Sequence, residues 1–335
     1  NTRPKIWLGT EDSGLKLFDT TTEAIVIPDF EYAPIDLENC KVHSIMQDVQ
    51  GNVWAGIFQK GLLIVPKLSN RFDYIKLSGS KGSMSTNIAC ATSIARDLKN
   101  NLWVGTDGGG LFKITENGEK KRFTIDNTPL QNNAVLSLII DKQGTLWIST
   151  YMGGITTYND QNGFSTFSSN KELQKVICTC YDAKNNYIYV GTLGYGVKIL
   201  SLNGREIQSL PNIDEILWTS SLTIDNNGIL LIGHTQGLCF YNTLTGQETN
   251  LDIAHKVKGC AINVSMVDKN GNYWLGSSTG LIYVNSSTHE VEFFTKSNGL
   301  PSNSVCAIHE DKKSQIWIST MNGISNFDPE TKQFK

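Results

Sequence analysis

One short phrase returns along the whole chain, and its period constrains the fold more than any other feature of the sequence. It is plainest at Gly51-Asn52-Val53-Trp54-Ala55-Gly56, at Asn101-Leu102-Trp103-Val104-Gly105-Thr106 and at Gly144-Thr145-Leu146-Trp147-Ile148-Ser149-Thr150. Its anchors are Trp7, Trp54, Trp103, Trp147, Tyr189, Leu231, Trp274 and Trp317, spaced by 42 to 49 residues. That period is too long for a leucine-rich or hexapeptide solenoid and suits one four-stranded propeller blade.

Each unit parses into strands. A first strand rich in β-branched and apolar residues precedes the anchor, as in Val135 to Ile140 or Ile262 to Val267, and ends in an aspartate. Asp48, Asp97, Asp141, Asp225, Asp268 and Asp311 lie six residues before their anchors, and Asp182 lies seven before Tyr189. An Asp that opens a Gly/Asn-rich connection accepts backbone N–H groups within the turn, so its recurrence reads as hairpin chemistry and not as a metal or acid-base site. The second strand carries the anchor with a small residue two positions on (Gly9, Gly56, Gly105, Ser149, Gly191, Gly233, Gly276, Ser319) and an apolar residue on the other face. A strand apolar on both sides belongs in a sheet sandwiched between neighbours, and the glycine leaves room for the adjacent blade's backbone. A Gly-Leu, Gly-Ile or Gly-Val pair, from Gly14-Leu15 to Gly323-Ile324, opens a third strand. A more polar fourth strand follows, for example Arg71 to Ile75 or Val291 to Thr295, and helical periodicity is absent.

The fold class is therefore all-β: a β-propeller of four-stranded antiparallel blades, with eight repeat units. The chain opens on a second strand at Lys5-Ile6-Trp7, so seven first strands serve eight second strands. Residues 42 to 335 could form seven blades behind a partial unit. Eight units in one propeller domain over 1–335 is the preferred count, because an orphan three-strand unit would leave its apolar faces wet. The abrupt opening marks the chain as part of a longer polypeptide.

Composition narrows function by exclusion. A net charge of -3 gives no basic field for nucleic acid, and no apolar run reaches the roughly 18 residues that span a bilayer. Seven cysteines without a C-x-x-C pair suit packing better than a disulfide framework or zinc, and most are expected in the core; Cys178 and Cys180 share a strand face without bridging. There is no H-E-x-x-H and no carboxylate pair outside the repeat, so no catalytic, cofactor or metal residues are assigned. His43 and His309, on different first strands, are read as polar lining.

The phrase Asp-x-x-Gly-x-Leu-Trp-Ile-Gly-Thr with Gly-Gly-Leu after it, best seen from Asp141 to Ile155 and from Asp97 to Leu111, resembles the two-component regulator propeller repeat. The segment Asn298 to Val305 resembles that family's inter-blade connection. Tyr189 and Leu231 depart from its Trp, and Ile57, His234 and Ser277 from its Thr. The resemblance implies the periplasmic sensor region of a hybrid two-component system of polysaccharide-degrading gut bacteria. In such regions two seven-bladed propellers precede a β-sandwich, a membrane helix and a histidine kinase. It implies as partners an oligosaccharide or other small ligand, the rest of the sensor kinase chain and a second copy, with the membrane reached only through segments outside this chain.

Ligand contacts are expected on loops between second and third strands and on connections into first strands, because a rigid scaffold holds them. Trp218, Tyr151, Tyr195 and Phe58 are the candidate stacking platforms for a pyranose, with Asp107, Gln236 and Asn303 as polar partners. A propeller scaffold for protein partners is the alternative, followed by a propeller lyase or hydrolase.

Overall fold

A computed structural model of the chain describes residues 5–27, 36–49, 51–65, 75, 77, 90–167, 171–202, 206–210, 218–249, 251–329 and 331–334. These fall into two compact units, 1–76 and 77–335. The first unit holds two three-stranded antiparallel sheets, built from Lys5–Gly9, Leu15–Asp19 and Ala24–Val26, and from Val42–Gln47, Val53–Ile57 and Gly61–Val65. The second holds six four-stranded sheets, the third to eighth of the chain. Their first strands are Cys90–Arg96, Val135–Ile140, Val176–Asp182, Thr219–Ile224, Ile262–Val267 and Val305–Glu310. Each first strand is followed in spatial order by its second, third and fourth.

Eight antiparallel sheets, one per repeat, are the blades of a β-propeller. Among the described residues the first sheet has three strands, matching the reading of seven first strands for eight second strands, and the fourth strand expected over Arg71–Ile75 lies outside the described residues except for Ile75. Three short helices escape the sequence reading: Glu172–Lys175, Asp252–Lys256 and Lys296–Asn298, all on connections into first strands. At three to five residues they are too short to leave a helical period.

The recurring aspartate does more than close a turn. One oxygen of Asp141 accepts the backbone N–H of Gln143 at 2.8 Å and of Thr145 at 3.0 Å, the hairpin role expected of it. The other accepts the indole N–H of Trp147 at 2.9 Å. The same indole bond joins Trp54 to Asp48, Trp103 to Asp97, Trp274 to Asp268 and Trp317 to Asp311, always at 2.9 or 3.0 Å. At Asp311 the Trp317 indole leads the donors that hold the carboxyl below the ordinary carboxylate range. Where Leu231 leaves Asp225 without an indole, the hydroxyl of Tyr273 on the next sheet donates instead at 3.0 Å. A buried carboxylate oxygen is costly when left unpaired, so the substitution at one site is answered at another.

Within the second unit there is a separate apolar core at each joint between consecutive sheets. Trp103, Leu111, Val135, Leu138 and Ile148 close the third joint against the fourth sheet, and Trp274, Leu281, Val305, Ile308 and Ile318 close the seventh against the eighth. The glycines after Trp103 and Trp274 admit a valine side chain of the next sheet, not the backbone approach read from sequence. A Cβ on Gly105 would stand 2.7 Å from Val135 Cγ1, and one on Gly276 would stand 2.5 Å from Val305 Cγ1. Connectors add plugs to these cores: Leu130 and Leu300 are both buried.

Every described first strand also carries a β-bulge at the same point, leaving His43, Thr92, Leu136, Ile177, Ser220, Asn263 or Cys306 outside the ladder. Three of these side chains reach the next sheet: the hydroxyls of Thr92 and Ser220 donate to the carbonyls of Val135 and Ile262, and the Asn263 amide to that of Val305 at 3.1 Å. All seven cysteines are free; Cys40 is buried and Cys178, Cys180, Cys239 and Cys260 are half-buried against the cores, as expected of most of them, while Cys90 and Cys306 are exposed. The bulge accounts for Cys306 by turning it out of the sheet.

Trp147→Phe keeps most of the ring but strands the second oxygen of Asp141 in a buried site. It should lower unfolding free energy by about 1–3 kcal/mol in urea titration, and Trp103→Ala by about 3–5 kcal/mol.

Candidate functional site

In an antiparallel four-stranded blade the end of the second strand, the start of the third and the entry to the first share one edge. The structure places every candidate residue there. In the second unit these are Asp107 on the third sheet, Tyr151 on the fourth, Tyr195 on the fifth, Trp218 and Gln236 on the sixth and Asn303 on the eighth; Phe58 belongs to the first unit. Trp218 and Tyr151 expose 58% and 49% of their surface, unusual for rings of their size and suited to stacking on a ligand. Asp107 and Gln236 are exposed as well.

The remaining candidates are already engaged. Tyr195 is half-buried under the ammonium of Lys175, 5.3 Å from its ring centre. Phe58 stacks on His43 with centroids 5.0 Å apart. The Asn303 carboxamide oxygen accepts the backbone N–H of Lys296 at 2.7 Å, and Asn133 does the same for Ile125 at 3.0 Å. These asparagines pin the connector through their carboxamide oxygens. Among the described residues no hydrogen bond or ring contact joins any two of the seven candidates. The sixth sheet alone gathers two of them, since Trp218 precedes Thr219, which pairs with His234, and Gln236 follows.

His234 lies at the centre of that edge, where most repeats have a threonine that binds the glycine carbonyl of its own turn, as Thr106 and Thr192 do at 2.6 and 2.8 Å. The imidazole is buried, and its Nδ1 accepts the Gln236 backbone N–H at 3.2 Å. The ring proton therefore sits on Nε2, which faces Cys239 Sγ at 3.4 Å. Burial pushes the His234 pKa down and the Cys239 thiol up, so both are neutral near pH 7. The thiols of the fifth sheet are likewise held protonated, that of Cys180 pushed by burial up to about 12.

Sequence reasoning missed Lys198. It is 4% exposed, and its ammonium lies 2.6 Å from the Glu172 carboxylate and 2.7 Å from Ser209 Oγ. The pair ties the Glu172–Lys175 turn, and with it Lys175, to the sheet that carries Tyr195. The available signal was a lysine where Phe112, Cys239 and Ile282 stand in other repeats.

Two sizeable cavities lie at the opposite edge, among the aspartate turns. One, of about 440 Å³, separates the third and fourth sheets, and the other, of about 360 Å³, the seventh and eighth. Among the described residues no three histidine, cysteine or carboxylate side chains are grouped to hold a metal ion, and no helix is long and apolar enough to cross a membrane.

Blade sheets, joint-by-joint cores and the aspartate–indole clasp define a β-propeller protein. Residues 129–152 and 299–322 match the family model described as two component regulator propeller. No curated protein matches it. Among solved structures it is similar to the extracellular domain of a B. thetaiotaomicron protein described as a hybrid two component system. That likeness has 26% identity and a TM-score of 0.76, over 98% of this chain and 44% of the other. The chain thus spans less than half the length of that relative. It is also similar to a catalytically inactive virginiamycin B lyase from Staphylococcus aureus with quinupristin, at 12% identity and a TM-score of 0.59 over 96% of each chain, a likeness of fold alone.

A buried neutral histidine binds fewer protons folded than unfolded. Its contribution to stability is complete above the free imidazole pKa of 6.5 and declines as pH falls below it. The melting temperature should therefore drop between about pH 7 and pH 5, and His234→Thr, which restores the repeat, should flatten that part of the profile.

Proposed function

We propose that this chain is the ligand-sensing propeller of an extracytoplasmic, periplasmic receptor region, recognising an oligosaccharide and signalling to a histidine kinase carried elsewhere. The observation that supports it most is the near-complete overlay on an extracellular domain of a hybrid two component system, together with the matching repeats. The second-to-third edge supplies what a sugar needs. Trp218 and Tyr151 are open rings, while Asp107 and Gln236 are exposed acceptors and donors at the same strand ends. His234 and Lys198 underpin that edge from within, one beneath the Gln236 turn and the other through the turn bearing Lys175.

Signalling in this reading is a population shift: a ligand that prefers one arrangement of the receptor, alone or as a pair of copies, moves the equilibrium toward it. The two arrangements differ outside this chain or between copies, and the propeller contributes the differential affinity. One domain over 1–335 belongs to the same proposal.

A thermal-shift screen of the purified chain against plant and host oligosaccharides tests the reading, because a ligand at 100 times its Kd adds about 2.7 kcal/mol. One glycan class should raise the melting temperature. Trp218→Ala or Tyr151→Ala should abolish that rise while leaving the unliganded melting temperature within about 1 °C, since surface changes typically alter stability little. Absence of any shift, with a stable protein complex recovered instead, would favour the scaffold alternative.

A further inference from the structure

The two cavities are versions of one cleft, and their differences indicate a ligand for one of them. In each, the anchor indole of one sheet meets the third strand of the next: Trp103 lies 5.0 Å from Tyr158, and Trp274 lies 5.5 Å from Phe327, centre to centre. Between the third and fourth sheets the cleft carries its own cation. Lys113, paired across the ladder with Trp103, holds its ammonium 4.9 Å from that ring and 5.6 Å from Tyr158. Asp160 balances it at 3.5 Å and takes Lys99 at 2.5 Å.

Between the seventh and eighth sheets these cations are gone. The ladder partner of Trp274 is Tyr283, whose ring lies 4.8 Å from the indole, and the counterpart of Lys99 two residues past the turn aspartate is Asn270. Acid has accumulated in their place. Glu292 is matched by Lys332 at 2.7 Å, but among the described residues Glu310 accepts only the Lys269 backbone N–H at 2.8 Å, and Glu290 only the Thr288 hydroxyl at 3.3 Å. The Lys269 ammonium is turned onto Ser314, and Lys313 lies beside Asp311. A cavity of about 360 Å³ thus combines a half-buried phenol ring with two carboxylates that form no ion pair among the described residues.

We propose that the cleft between the seventh and eighth sheets binds a small organic ammonium ion, with Tyr283 as its ring and Glu290 and Glu310 as its counter-charges. An ammonium with an apolar body gains from the ring quadrupole and from the carboxylates at once. The volume lies within the range of small-molecule sites. The cleft is at the edge opposite Trp218 and Tyr151, so this proposal stands independently of the sugar-sensing one.

The test is calorimetric titration of the whole chain with choline and with glucosamine at low ionic strength, using glucose as the neutral counterpart. Choline and glucosamine should bind and glucose should not, and raising salt to about 0.5 M should weaken both by about tenfold, as partly exposed charge pairs are screened. The double variant Glu290→Gln/Glu310→Gln should weaken both by about tenfold or more at an unchanged melting temperature. Trp218→Ala should leave them untouched. Equal binding of glucose, indifference to the double variant, or no heat from either cation at tens of millimolar would overturn the assignment. Tyr283→Leu tests the ring, and because the two glutamines replace surface carboxylates, the test stands even if that variant fails to fold.

Discussion

The clasp between a strand-terminal aspartate and an indole six residues later organises this molecule. It joins three levels at once: one oxygen fixes the hairpin between the first two strands, the other orients the anchor ring, and the ring then fills the joint with the following sheet. Turn geometry and core packing are thereby coupled through a single carboxylate. Pairing each oxygen also removes the penalty that a buried anion would otherwise carry. The response at Asp225, where a tyrosine from the neighbouring sheet replaces the missing indole, indicates that the oxygen must be satisfied and that the identity of the donor matters less.

Much of this fold is legible in sequence because the same burial problem is solved eight times. The anchors, the small residues beside them and the Gly-Leu openings mark second and third strands correctly, as at Leu146–Thr150 and Gly154–Asn159. What is not legible is long-range. The six-residue spacing from Asp141 to Trp147 was visible, yet its meaning as a side-chain bond needs the hairpin's three-dimensional turn. The room beside Gly105 was foreseen, but not that Val135 of the next sheet would occupy it. The short helices and the bulges leave no periodic trace.

The candidate site was legible in location and less so in detail. Loop positions follow from the repeat, so Trp218 and Tyr151 emerge exposed at the expected edge. Whether a polar side chain there is available depends on partners that sequence does not display. Asn303 and Asn133 proved to be connector pins, and Lys198 and His234 proved to be internal supports. Departures from the repeat were the best guide to such residues. A lysine or histidine at a position where most sibling repeats keep an apolar or hydroxyl side chain, as Lys198 and His234 are in the second unit, has a reason local to that blade.

The division of the second unit into one core per joint has a mechanical consequence. A protein with a single core softens as a whole, whereas here the loss of packing between two blades leaves the other joints with their own buried surface. Strain introduced at one blade is absorbed at its two seams and fades with distance along the series. A weak seam would therefore act as a hinge, and repeat-to-repeat variation in these seams is a means of choosing where the molecule yields.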